Sequence, residues 1–495
     1  MKENNKTRKL FCIAVYAIFA VFYAWLAAQI PYTHDDWDWG LDVGINQWLS
    51  ASINSRYVGN FFEVIMARSE ILKTVIMGAG FFLLPFIASG IAFSKTEANT
   101  HNGRVIGFVL CNVLILSMHR TIWQQTYGWV AGYANFGISA IFLLIVLKQF
   151  LHVFDDLSSQ RNVFRPRTIV LFLVCLASQL FIENIAIYLF LFSVLVNFIY
   201  WYRTKRFSWE YMAMLLAALI GLVLMFSSNI YSSLWSTGEA LGYRRLRVNS
   251  KTNIMAVIVG CIYQMIELPY YLYAKNFPIC ITILILMTVL VLQKKSGEIL
   301  SKILCCVVNC IAIVCLVLSH LLVDGYLIIS VAFFVIVSIE LIILFRREKR
   351  RLGRLLFVWV SPICIILPIV FTNEMGARLF FSTNSVLILF AILMLRFSFS
   401  FTSTKKKVCC AVLVCTLACA LLFQYGTIYY SIGECKEQRE KIIESALKTG
   451  ADTIYLPEYP YPEYLWEPNP KEPKREVFFK EFYNIPQDVS IVFGE

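Results

Sequence analysis

Charge is scarce in this chain. Lysine, arginine, aspartate and glutamate make up 15% of its 495 residues, against 59% hydrophobic residues, and the mean hydropathy is +0.67. A soluble domain carries roughly 25% charged residues, so this balance excludes one. Zinc-type ligand spacing is missing as well. Fifteen cysteines are present, but nearly all lie inside apolar runs, as Cys305, Cys306, Cys310 and Cys315 do, where cysteine acts as a small hydrophobe. Cys435 stands alone in the C-terminal stretch, so a disulfide framework is not expected. Internal repeats are lacking, and so is the inverted pair of broken helices that transporters show.

What the chain does have is a series of apolar runs near the ~20 residues that span a bilayer. They fall near 10–30, 71–94, 105–118, 136–151, 169–182, 185–200, 211–227, 277–293, 303–321, 327–345, 355–371, 384–399 and 408–426. The reading is an all-α polytopic membrane protein with about thirteen transmembrane helices. The first run follows Lys6, Arg8 and Lys9 as a signal peptide would. It has no small-residue cleavage site before Pro31, so a retained helix is expected. The stretch 253–293 is long enough for two helices and is read as one crossing preceded by an interfacial helix.

The net charge of +12 would suggest nucleic acid in a soluble protein. Here the positive residues sit in short connectors and report orientation instead, and no nucleic-acid partner is expected. The N-terminus, Arg161/Arg165/Arg167, Arg203/Lys205/Arg206, Lys294/Lys295, 346–354 and 405–407 fall on one side, which the positive-inside rule makes cytoplasmic. Asp35, Asp36, Asp38, Arg120, Glu183, Arg244 and Arg378 then lie outside with the tail. Residues 1–426 are read as the membrane domain and 427–495 as a small extracytoplasmic α+β tail. Seven of the fourteen prolines lie in the tail. Ile454-Tyr455-Leu456-Pro457 reads as a strand and 476–483 as a short helix, docked onto the membrane part because about seventy residues make a marginal core.

Chemistry gathers on the outer side. Pro31-Tyr32-Thr33-His34-Asp35-Asp36-Trp37-Asp38-Trp39 follows the first span directly, and carboxylates at a membrane boundary imply water, a cation or a substrate. Asp35 or Asp36 could act as a base, with Trp37 against a sugar face or the bilayer interface and Asp38 beside them; a solvated helix-capping turn is the plainer alternative. A second cluster runs from Met118-His119-Arg120 through Trp129, Gly132, Tyr133, Ala134, Asn135 and Phe136. It could stack on sugar rings and hydrogen-bond hydroxyls, or form an aromatic belt. Glu183-Asn184 lies between two apolar runs, where a carboxylate should be paired or face a cavity. The basic knot Gly242-Tyr243-Arg244-Arg245-Leu246-Arg247 with Lys251 suits phosphate or anionic headgroups. Arg378, in Glu374-Met375-Gly376-Ala377-Arg378-Leu379-Phe380, could hold a phosphate, pair with Glu374 or Glu183, or snorkel.

These motifs taken together resemble those of the bacterial membrane glycosyltransferases of the GT-C superfamily, in particular glucosyltransferase-like polytopic families that decorate surface polysaccharides. The residues carrying the resemblance are His34-Asp35-Asp36-Trp37, Trp129-Val130-Ala131-Gly132-Tyr133-Ala134-Asn135-Phe136, Ile182-Glu183-Asn184 and Gly376-Ala377-Arg378-Leu379-Phe380. In the tail they are Leu456-Pro457 and Phe479-Lys480-Glu481-Phe482-Tyr483-Asn484-Ile485-Pro486. The resemblance implies an inverting enzyme that uses a polyprenyl-phosphate sugar donor and a surface glycan acceptor at the outer face of the cell membrane, with a donor-lipid synthase and a flippase upstream. It implies Asp35 or Asp36 as base, the other as a supporting acceptor or metal ligand, and Arg378 with Arg244 or Arg245 at the phosphate. A divalent cation, magnesium or manganese, is compatible but no second acidic cluster requires one. The first external loop is short by the family's standard. Two rival readings are a polysaccharide polymerase or ligase and a lipid-linked glycan flippase or transporter.

Overall fold

The computed structural model describes residues 2–93, 100–155, 164–241, 244–246, 253–293, 299–322, 326–372, 376–400 and 404–494. It is a helical bundle. Among the described residues ten helices are long and apolar enough to cross a membrane, or eleven if a bent pair is one span. That pair, Trp209–Met225 and Asn229–Thr237, turns by 69°. The expected thirteen spans do not map one to one onto this set. Three of them fall on shorter apolar helices, Gly103–Leu116, Pro166–Gln179 and Phe277–Gln293. Ile254–Ala274, read from sequence as interfacial, is itself long and apolar enough to cross.

The first helix, Lys2–Gln29, packs on Glu70–Ala92, and Pro166–Gln179 on Trp209–Met225. Phe381–Ser400 lies deep in the bundle, between Lys349–Ile366 and Phe277–Gln293, with Val386 to Leu395 all buried. A helix apolar all round belongs at the centre of a bundle, and this one supplies much of the core.

The two ends of the bundle differ. At one end Arg354 lies 3.5 Å from Asp155, Arg203 donates to the carbonyls of Val153 and Asp155, and Arg396 donates to the Ala92 carbonyl. At the other end gather the residues that follow the first helix, the turn at Leu180-Phe181-Ile182, the starts of Val130–Phe154 and Ala377–Ser398, and the tail. The first loop, expected to be short, builds three helices, Asp36–Gly40, Asp42–Ser50 and Tyr57–Arg68. The tail has the strand and helix read from sequence. Thr453–Pro457 pairs in parallel with Ser490–Gly494, and Pro473–Phe482 crosses between them. The helix Thr404–Thr449 runs without a break through the expected boundary at 426, so tail and bundle share one rod about 70 Å long.

Candidate active site

Pro31 stops the first helix, since proline cannot donate a backbone hydrogen bond, and the chain turns at once into the acidic motif. Asp36 faces inward and is fully buried. Its Oδ2 accepts the Thr33 N–H at 2.8 Å, and its Oδ1 accepts the Ala131 N–H at 2.8 Å. Ala131 is the second residue of Val130–Phe154, so Asp36 caps the positive end of another helix. Burial and then Asp35 push its carboxyl well above the usual range, against the pull of these backbone donors. A carboxylate so enclosed is an anchor between helices.

Asp35 is different. Its side chain is 22% exposed, and Trp129 Nε1 donates to its Oδ1 at 2.9 Å. Burial pushes this carboxyl up, but His34, Arg475 and the Trp129 indole outweigh that and hold it below the usual range. It is therefore ionised, oriented and reachable.

The Trp129 ring links this carboxylate to the cations. Arg378 lies 5.5 Å from the Trp129 centroid and 5.8 Å from that of Phe136, and Arg56 approaches Phe136 at 5.8 Å. Aromatic faces attract cations electrostatically, so two guanidinia can be held at the bundle end with limited repulsion. Phe136 reaches them because the helix widens into a π-turn over Tyr133–Gly137. Gln125 Oε1 accepts the Arg378 backbone N–H at 3.2 Å and fixes that helix start.

Two pairs complete the floor. Arg56 grips Glu183 with two bonds, Nε to Oε1 at 3.2 Å and a terminal nitrogen to Oε2 at 2.8 Å, and the Tyr231 hydroxyl donates to Oε1 at 2.7 Å. Glu63, 2% exposed, accepts from Asn135 Nδ2 at 3.0 Å. Burial, then Asp35, Asp36 and Asp38, push the Glu63 carboxyl well up. A Cβ at Gly59 would meet Asn135 Oδ1 at 2.1 Å, so any larger residue would displace that amide.

Compared with known protein families, with curated proteins and with solved structures, the chain matches none, so its function is read from this geometry.

The sequence-derived residues divide clearly. Asp35, Asp36, Asn135, Glu183 and Arg378 meet at this end. Asp38 sits beside them, paired with Arg475 of the tail at 2.6 Å, and burial with Asp35 pushes it up to about 7 against the arginine's pull. Trp37 offers no face to a sugar: it is fully buried and meets Phe479 edge-on at 5.1 Å in the tail core. Tyr133 is buried in the bundle core against Phe81. Asn184 donates to the Ile365 carbonyl at 3.1 Å and ties two helices. Arg120 is largely exposed and lies 3.6 Å from Glu463 of the tail. Arg245 lies 3.2 Å from Glu239 in a two-residue hairpin whose other strand residue pairs Arg244 with Ala240. Glu374, Arg247 and Lys251 lie outside the described residues, as do Gly242 and Tyr243.

Arg56, Glu63, Tyr231 and the tail residue Glu467 were not singled out by sequence reasoning, and His34 entered only as part of the acidic motif. The available signal was that Arg56 and Glu63 are the only charged residues between Asp42 and Arg68. Among the described residues no group of three or more histidine, cysteine, aspartate or glutamate side chains has metal-binding geometry. Asp36 already accepts two backbone N–H groups, and Asp38 is paired with Arg475.

Proposed function

We propose that this protein is a membrane glycosyltransferase that moves a single sugar, a hexose such as glucose, from a polyprenyl-phosphate donor to a cell-surface polysaccharide or teichoic acid. Asp35 is the base and Arg378 meets the phosphate. The observation that carries this reading is the shared Trp129 ring, which holds the Asp35 carboxylate on its N–H and the Arg378 guanidinium near its face. A base at the acceptor hydroxyl and a cation at the leaving group are the two things such a transfer needs.

The step balances simply. The acceptor hydroxyl gives its proton to Asp35 while its oxygen bonds to the anomeric carbon from one face. The bond from that carbon to the phosphate oxygen breaks on the other face, and its electron pair leaves with the phosphate beside Arg378. Inversion follows.

An outer-face location is supported by the separation of the bundle ends. Counting the bent pair once and the three short helices as passages, thirteen alternating passages run from an N-terminus at the arginine-rich end to a tail at the Asp35 end. Ile254–Ala274 then stays at the Asp35 end. Gln264 donates to the Thr372 carbonyl at 2.6 Å, Tyr271 stacks on Phe380 and Tyr270 touches Tyr326, all contacts with that end. The positive-inside rule makes the arginine-rich end cytoplasmic.

The test is a glycan composition and linkage analysis of the cell envelope from a deletion strain carrying wild type or Asp35→Asn. Loss of one side-chain sugar, restored by wild type but not by the variant, is expected, with transfer falling about 10²–10⁴-fold as for loss of a general base. A shortened polymer with every substituent present would indicate a polymerase or flippase and sink the reading.

A further inference from the structure

The C-terminal tail reaches into the acidic motif at one place. Glu467 Oε2 lies 3.2 Å from His34 Nε2, and His34 Nδ1 lies 3.4 Å from Asp35 Oδ1. The imidazole thus stands between two carboxylates that come from opposite ends of the chain. Both residues that meet here adopt left-handed backbone, His34 at φ 52° and Glu467 at φ 41°. Neither is glycine, and side-chain-bearing residues are held in that region only when their surroundings insist. Two such residues facing each other across one contact make a chance meeting a poor account of it.

The surroundings keep the ring in place. It stands edge-on to Trp129 at 5.8 Å and tilted against Trp466 at 6.2 Å, and the two indoles lie 6.0 Å apart. The Trp466 N–H donates to the Gly128 carbonyl through the backbone at 3.3 Å, so the segment carrying Glu467 is pinned to the turn before Trp129. Other charges facing this group are Lys471, 3.8 Å from Glu467, Arg475 on Asp38, the buried Asp36, and Arg378 beyond the Trp129 ring.

We propose that Glu467, acting through the His34 ring, positions the Asp35 carboxylate, so that the tail completes the site. This rests on the reading of Asp35 as the base. Glu467 and His34 are positioning residues. The acceptor proton still ends on Asp35, and neither partner exchanges a bond with the sugar.

The experiment uses the full chain in lipid nanodiscs with undecaprenyl-phosphate glucose as the donor probe. Glu467→Gln is expected to lower kcat about tenfold while the donor KM stays within about twofold, and Glu467→Asp to recover most of the loss. In His34→Gln the acid limb of the pH profile moves to higher pH, because burial of Asp35 is no longer opposed by the ring. An infrared titration of the Asp35 carboxyl, identified by its absence in Asp35→Asn, reads the same shift without turnover. Unchanged kcat, pH profile and Asp35 titration in both variants overturn the proposal. A moved titration in a protein that transfers no sugar would keep the coupling and overturn the functional reading instead.

Discussion

Asp35 and Asp36 are neighbours with opposite fates, and the difference is what their oxygens touch. Asp36 spends both on backbone N–H groups inside the protein, whereas Asp35 meets an indole N–H and a histidine at a partly open surface. Asp38 and Glu63 share the buried side of the cluster, and burial raises both carboxyls. The sign of the consequence is definite. A carboxyl near 3.8 when unfolded and about 7 when folded binds a proton on folding between those values, so its contribution to stability is present at low pH and is lost as pH rises to about 7. Asp35, held low, acts below this window and does not cancel it. Thermal denaturation in detergent is expected to show stability falling from pH 4.5 to 7, and Asp38→Asn to flatten that fall.

Elements explain why the tail belongs with the bundle. Trp37 leaves the first loop and enters the tail core with Phe479, Ile454 and Ile485, so the loop cannot move without the tail. On the other side the Tyr464 carbonyl lies so close to Gly128 that a Cβ there would stand 1.9 Å from it, and Gln124 donates to the Leu465 carbonyl at 2.8 Å. Gly128→Ala should therefore lift the tail from the bundle while leaving the spans intact. Limited proteolysis between 458 and 472 is the measurement, with faster cleavage than wild type expected. Trp37→Ala removes a fully buried indole and is expected to cost about 3–5 kcal/mol of tail stability.

At the scale of the whole molecule, the opposite ends carry opposite tasks. Arginines at one end pair with Asp155 and with helix-end carbonyls. At the other end two guanidinia rest on aromatic rings beside Asp35, Asp36, Asp38, Glu63 and Glu183, an arrangement suited to an anionic ligand and a base. The orientation is testable in intact cells. A cysteine at exposed Lys448 should react with a membrane-impermeant maleimide from outside, and one at exposed Arg206 only after permeabilisation. The reverse pattern would place the acidic motif in the cytoplasm.

Much of this was legible in the amino-acid order. Apolar runs of spanning length declare a membrane bundle, because each helix satisfies its own backbone hydrogen bonds and needs only apolar side chains around it. Pro31 followed by two aspartates marks the exit from the first helix, and the alternation in 454–457 marks the tail strand. Which aspartate is reachable was decided only by tertiary packing, since a one-residue step swings a side chain from solvent to the N-terminus of another helix. The same holds for Arg56 on Glu183, Asn135 on Glu63 and Glu467 on His34. Periodicity reports which face of a segment is apolar. It carries nothing about which distant segment brings the opposite charge, and burial makes that charge indispensable once the fold has formed.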